Sequence, residues 1–213
     1  MNMRLLSLMA ATAVMSVLPF NQAFASGVDD PLMVRVRGIV VAPDEGGEVA
    51  TIGGDVDIKN EVVPELDITY FLQENVALEL ILATNNHDAA VLDSAIDDVD
   101  LGDVWLLPPT LLAQYHFSPR GSVRPYVGAG VNYTFFYGND HPTGLTSVNY
   151  DNGFGFALQG GVDIPVNDDY FINFDVKKLF LSTDVTVDAG GTIVTADVDI
   201  DPWIFGVGFG RRF

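Results

Sequence analysis

The chain has 213 residues, 48% of them hydrophobic, with 10 basic against 29 acidic residues, a net charge of −19 and no cysteine. So acidic a chain excludes nucleic acid as a partner, because phosphates demand a basic footprint. Without cysteine there is no disulfide framework, and stability must come from backbone ladders and packing.

Arg4 precedes an apolar run from Leu5 to Leu18, and Ala23-Phe24-Ala25 gives a small-x-small cleavage pattern. This predicts a secretory signal peptide over residues 1–25. Loss of Arg4 with the leader leaves 9 basic against 29 acidic residues, a net charge of −20. The rest, 26–213, reads as one domain, and no stretch of it is apolar for long enough to span a membrane as a helix. In lipid every backbone polar group must be paired internally, so an exported, strongly hydrophobic chain without such a helix points to a closed β-barrel.

Eight segments of period-two alternation follow. The first, 32–42, sends Arg35, Arg37, Ile39 and Val41 to one face, and a long acidic link, 43–61, comes next. The second, 62–72, and the third, 76–85, meet at Gln73-Glu74-Asn75 and turn Val63, Glu65, Asp67 and Thr69, then Ala77, Glu79, Ile81 and Ala83, to that same face. The link 86–103 holds the densest acidic run, Asp93, Asp97, Asp98, Asp100 and Asp103. The fourth segment, 104–117, turns Leu106, Pro108, Thr110, Leu112, Gln114 and His116 inward. After a short turn, the fifth, 124–137, adds Tyr126, Gly128, Gly130, Asn132, Thr134 and Phe136. The link 138–152 leads to the sixth, 153–164, with Gln159 and Asp163; a turn over 165–169 leads to the seventh, 170–183, with Asn173, Asp175 and Lys177. Beyond the link 184–200, the last segment, 201–213, puts Trp203, Phe205, Val207, Phe209, Arg211 and Phe213 on one face, and Ile204, three glycines and Arg212 on the other.

Short turns alternate with long links, as in bacterial outer-membrane barrels with periplasmic turns and external loops, and an even strand count places both termini in the periplasm. Two aromatic girdles are expected. Tyr70, Phe71, Tyr115, Phe117, Tyr126, Tyr170, Phe171 and Phe213 fall near the periplasmic rim; Trp105, Tyr133, Phe135, Tyr137, Phe154 and Trp203 fall near the outer one.

Sorted by height, the inward residues divide. Arg35, Arg37, Glu65, Asp67, Glu79, Asp163, Asp175 and Arg212 gather in the periplasmic half, where opposed charges in a narrow lumen should pair into a plug. Ile39, Val41, Val63, Ile81, Ala83, Leu106, Pro108, Phe136 and Ile204 gather in the outer half. An apolar cup of this kind either binds small hydrophobic ligands or merely fills the barrel. Pro108 and Pro109 lack two ladder donors, which predicts a breach or a bulge in the wall, and a breach offers a lateral exit into lipid.

Leu107-Pro108-Pro109-Thr110-Leu111-Leu112-Ala113-Gln114-Tyr115, Arg124-Pro125-Tyr126-Val127-Gly128-Ala129-Gly130-Val131-Asn132-Tyr133-Thr134 and the pair Asp201-Pro202-Trp203 with Arg211-Arg212-Phe213 resemble strands four, five and eight of the OmpW family of small outer-membrane barrels. The resemblance implies an eight-stranded barrel in the bacterial outer membrane with a hydrophobic channel that helps small apolar molecules across. The final Phe213 resembles the C-terminal signal by which outer-membrane barrels meet the assembly machinery. Outer-membrane lipid, lipopolysaccharide and small hydrophobic molecules are the partners expected.

The long links, 43–61, 86–103, 138–152 and 184–201, carry 19 of the 29 acidic residues. They contain no Asp-x-Asp-x-Asp-Gly calcium loop, and His87, His116 and His141 are not spaced as zinc ligands. Ser94 or Ser147 near a loop histidine is only a loose nucleophile arrangement. Neither metal, cofactor nor enzymatic activity is expected. Two other roles remain open: a structural or adhesion barrel whose acidic loops bind ions, lipopolysaccharide or a partner, and a narrow cation-selective channel.

Overall fold

The computed structural model describes residues 28–44, 46–49, 55–58, 60–92, 99–140, 147–189 and 191–213; the expected signal peptide lies outside them. The strands in chain order are β1 (Leu32–Ala42), β2 (Gly46–Val49), β3 (Asp55–Ile58), β4 (Glu61–Phe71), β5 (Val76–Ala83), β6 (Asn85–Leu92), β7 (Val99–Leu107) and β8 (Thr110–His116). They continue as β9 (Arg124–Asp140), β10 (Ser147–Tyr150), β11 (Gly153–Pro165), β12 (Tyr170–Phe180), β13 (Ser182–Ala189), β14 (Thr192–Asp199) and β15 (Trp203–Arg212).

Eight of these close into an antiparallel barrel in the order β1-β4-β5-β8-β9-β11-β12-β15, with β15 pairing back onto β1. The register fixes its girth. Paired residues followed once around, from Leu32 through Tyr70, Leu78, Ala113, Ala129, Leu158, Lys178 and Trp203, return to β1 at Ala42, a stagger of ten residues. Eight strands with that stagger tilt by roughly 40° and leave a lumen that side chains fill. The seam is also tied at its end: the Leu32 amide donates to the Phe213 carbonyl at 3.2 Å and the Phe213 amide to the Leu32 carbonyl at 2.7 Å.

Alternation decides what meets lipid. On β15, Trp203, Phe205, Val207 and Phe209 are exposed on the outer wall, while Ile204, Gly208 and Gly210 are buried in the lumen. A Cβ at Gly210 would collide with the Phe171 ring, and one at Gly161 with the Tyr126 ring, so glycine makes room there for large inward aromatics. Of the rings expected at the periplasmic rim, Phe71, Tyr126 and Phe171 are therefore not part of an outward girdle. They occupy the lumen floor, where inward positions on their strands direct them. Tyr115 packs on Phe117, and Tyr133 on Phe135 and Phe154, along the outer wall as expected.

The long links contain more strand than their composition suggested. β6 and β7 prolong the wall beyond β5 and β8 and pair with β3 and β9. β13 and β14 prolong β12 and β15 and form a second, four-stranded sheet in the order β10-β13-β14-β2. Under that sheet Val148, Leu181, Val185, Val198 and Ile200 make a separate apolar cluster with Phe136, Tyr150 and Val187. Burial pushes the Tyr150 phenol up to about 12.

Candidate functional site

The lumen is layered along its axis. At the periplasmic end Met33, Phe71, Ala77 and Phe171 form an apolar floor. His116 lies between the rings of Phe71 (4.8 Å) and Tyr126 (5.2 Å) and meets Gln114 Oε1 at 3.2 Å, a structural position.

Above the floor stands the charge layer. Successive inward positions 35 and 37 on β1 aim two guanidiniums across the lumen, where facing strands present carboxylates. Arg35 pairs with Glu79 and Asp163, both at 2.8 Å. Arg37 pairs with Glu65 at 2.9 Å and Asp67 at 3.1 Å, and lies 3.6 Å from both Glu79 and Asp175. Its Nε donates to Asn173 Oδ1 at 2.7 Å and its Nη2 to the Tyr126 hydroxyl at 3.2 Å. Gln114 and Gln159 close the net by donating to Glu79 Oε2 at 2.7 and 2.8 Å. All of these groups are buried.

The membership of the plug differs from expectation at two places. Lys177, inward on β12, joins it through Glu65 at 2.7 Å and Asp175 at 2.9 Å. Arg212 does not join: it stands 4.2 Å over the Phe71 ring and donates to the carbonyls of Asp30 and Asp29 at the rim. As the last residue of β15, paired with Met33 of the floor, it lies at the rim and away from the carboxylates. The layer therefore holds Arg35, Arg37 and Lys177 against Glu65, Asp67, Glu79, Asp163 and Asp175, three cations facing five carboxylates.

On this layer rests the apolar cup. Ile39, Val41, Ile81, Leu112, Ala157, Leu179 and Ile204 pack as one cluster, with Val63 and Ala83 against it. All of them but Leu112 and Ala157 line a cavity of about 40 Å³ that is also lined by Leu106 and Pro108. Phe136, expected in the cup, stands higher and stacks on Tyr150 at 5.6 Å under the second sheet. Leu179, Leu181, Ile200 and Pro202 line the cavity although they were not singled out, and Glu65, Lys177, Thr110 and Asn85 give its polar margin.

Pro108 and Pro109 interrupt the wall. β5 pairs with β8 up to Ile81↔Thr110, and β6 with β7 from Asn85↔Leu106, so the ladder lapses opposite the prolines and resumes in the same register. This is a break, not a bulge. On the other side Tyr133 still donates to the Pro109 carbonyl at 3.2 Å. Side chains hold the break: Thr110 Oγ1 donates to the Pro108 carbonyl at 3.0 Å and Thr84 Oγ1 to the Leu106 carbonyl at 3.2 Å, with Thr84 Oγ1 2.7 Å from the Tyr137 hydroxyl.

With this geometry in place, the family model described as "OmpW family" matches residues 29–213. The chain belongs to the OmpW family. Among OmpW-family relatives, the uncharacterized outer-membrane protein y4mB of Sinorhizobium fredii is 40% identical over 200 residues, 92% of this chain and 86% of that one. The dibenzothiophene metabolism operon protein PahQ of Pseudomonas aeruginosa is 29% identical over 161 residues, 76% of each chain. The crystal structure of the outer membrane protein OprG from Pseudomonas aeruginosa superposes with a TM-score of 0.79 at 27% identity, covering 85% of this chain and 95% of that one. The barrel is thus an outer-membrane protein, and its long-loop end faces outward.

Of the loop residues weighed for chemistry, Asp93, Asp97, Asp98, Ser94 and His141 lie outside the described residues. Ser147 begins β10 in the second sheet.

Proposed function

We propose that this OmpW-family barrel is a conduit for small hydrophobic molecules and not an enzyme. Such molecules enter from outside, occupy the cup, and leave sideways into the outer membrane through the break at Pro108 and Pro109. One observation carries the reading: an apolar cavity rests on a buried charge layer and lies beside the break in the wall. An apolar solute that reaches the plug meets a steep desolvation cost if it goes on, because entering the layer means parting buried ion pairs. Going sideways parts no backbone ladder pair at the break, where the Thr84 hydroxyl reaches across to the Leu106 carbonyl. The name of PahQ, tied to dibenzothiophene metabolism, supports an apolar cargo. The cavity, about 40 Å³, has room for roughly three water-sized groups, so slim chains fit first and broader ones need the lining side chains to shift. On this reading the partners are outer-membrane lipid and lipopolysaccharide, and Phe213 is the handle for the barrel-assembly machinery.

Uptake of an apolar solute by cells carrying the native chain or Leu106→Arg tests it. The substitution sets a cation at a buried position of the cup, 5% exposed, while the lipid face is untouched. Uptake should fall to the barrel-free background while heat-modifiable migration on gels persists. Native protein that never exceeds that background sinks the reading.

A second reading rests on a different observation. Asp151 donates its amide to the Asp184 carbonyl at 3.0 Å, and Asp184 pairs with Asp197, so three exposed carboxylates stand side by side across β13, β14 and the end of β10. Like charges directly opposite on a sheet repel; among the described residues no group of three is placed to hold a metal ion by itself, so on this reading lipopolysaccharide supplies the remaining ligands of a shared divalent ion. Loop deletion that weakens surface attachment and leaves uptake intact supports that role.

A further inference from the structure

Two side chains in the lumen do not fit a purely hydrocarbon cargo. Asn132 and Thr134 are inward residues of β9, 1% and 0% exposed, and neither the Asn132 carboxamide nitrogen or oxygen nor the Thr134 hydroxyl has a hydrogen-bond partner. Burying an amide and a hydroxyl without partners is costly, because each gives up its water and gains nothing in return. Such groups call for an explanation. Apart from the Asp67 carboxylate, which lies 3.1 Å from Arg37, the polar side chains of the charge layer are paired, and two adjacent orphans on one strand stand out from them.

Their position supplies the explanation. Asn132 pairs with Thr110, which lines the cup. The same register, resumed at Leu107↔Phe135, sets Thr134 beside Pro108, at the break itself. Gly155 keeps space for the carboxamide, since a Cβ there would collide with Asn132 Oδ1. Neither orphan lines the cavity itself; each stands one strand over from a residue that does, Asn132 from Thr110 and Thr134 from Pro108, with room left for the carboxamide by Gly155 of a neighbouring strand. An amide offers a donor and an acceptor, and a threonine hydroxyl offers both in one atom. A single alcohol or phenol group complements that pair by donating to one and accepting from the other. A hydrocarbon leaves both unpaired.

We propose that Asn132 and Thr134 form a polar subsite that selects hydroxylated hydrocarbons, with the hydroxyl held at the break and the apolar body in the cup. The inference rests on the conduit reading and names its preferred cargo.

The test compares binding of 1-octanol and octane to the full barrel in phospholipid nanodiscs, corrected for partition into barrel-free nanodiscs. Occupancy is read from the methyl resonances of Leu106 and Ile204. The native chain should favour the alcohol about tenfold, the worth of one buried hydrogen bond. Thr134→Val, which keeps the side-chain shape, and Asn132→Leu should each bring that ratio close to one. If Asn132→Leu does not fold, Thr134→Val alone decides. A native ratio of one, or a tenfold ratio that survives both substitutions, overturns the subsite while leaving the cup as a hydrocarbon site; the first outcome is also what a resident water on the pair would give. If neither compound shifts the cup resonances, the conduit reading itself fails and takes the subsite with it.

Discussion

The Arg37–Asp67 pair, 3.1 Å apart and wholly buried, should respond unequally to the loss of its two members. Truncating the cation, Arg37→Met, strands Glu65 and Asp67 and removes the guanidinium lying 3.6 Å from Glu79 and Asp175. Breaking a buried network on that side costs about 3–5 kcal/mol. Neutralising the anion, Asp67→Asn, is different. At an effective dielectric of 20 the Coulomb attraction across 3.1 Å is about 5 kcal/mol. Opposing it are several kcal/mol for desolvating a carboxylate neither of whose oxygens accepts a hydrogen bond, and repulsion from the other four carboxylates in the layer. The terms nearly cancel, so Asp67→Asn should change stability by less than about 1 kcal/mol. Equilibrium urea unfolding of the barrel refolded in phospholipid vesicles measures both. Equal losses of about 3 kcal/mol or more from the two substitutions would falsify the claim that the layer holds surplus negative charge.

Two further outcomes are expected. Replacing both prolines, Pro108→Val with Pro109→Val, restores one amide donor toward the lapsed ladder, at 108, and one toward β9, at 109; apolar uptake should drop several-fold while thermal stability rises, and unchanged uptake would remove the break from the pathway. Tyr150 holds its proton up to about 12 in the folded outer sheet, against an ordinary phenol value of 10, because burial disfavours the phenolate. The stability this lends is complete below pH 10 and is lost as pH rises toward about 12; amide exchange in β10 and β13 should show that loss, and Tyr150→Phe should abolish it.

The barrel strands were legible because lipid on one side and a filled lumen on the other impose a clean period of two. β1 begins and ends where the alternation of 32–42 does, and β15 lies within 201–213. Charge sorting by height likewise found most of the plug, since Arg35 and Arg37 occupy consecutive inward positions on a strand whose register fixes their height. Beyond the membrane the signal faded. Val185 and Val187 alternate with Asp184, Thr186 and Asp188 in β13, but with one wet face the pattern resembles an acidic loop. The hairpin signal lies in Asp184–Asp188 and Ile193–Asp197, two alternating runs that flank Gly190-Gly191. Leu181, Ile200 and Pro202 were missed in the cup for the same reason, because they sit where the wall passes into that hairpin. Asn132 and Thr134 were read as inward, but alternation gives direction and not satisfaction; only packed coordinates reveal that their polar atoms lack partners.

Because β5–β8 and β6–β7 share one register across the prolines, the opening there is a seam with its edges already aligned. Widening it requires no strand to slide and no pair elsewhere to exchange partners. On the conduit reading, the motion is confined to Leu82–Thr84 and Leu107–Pro109, and its timescale is that of local loop fluctuation and not of barrel unfolding. On the proposed exit route, the wall would open at one point and remain a closed frame around it.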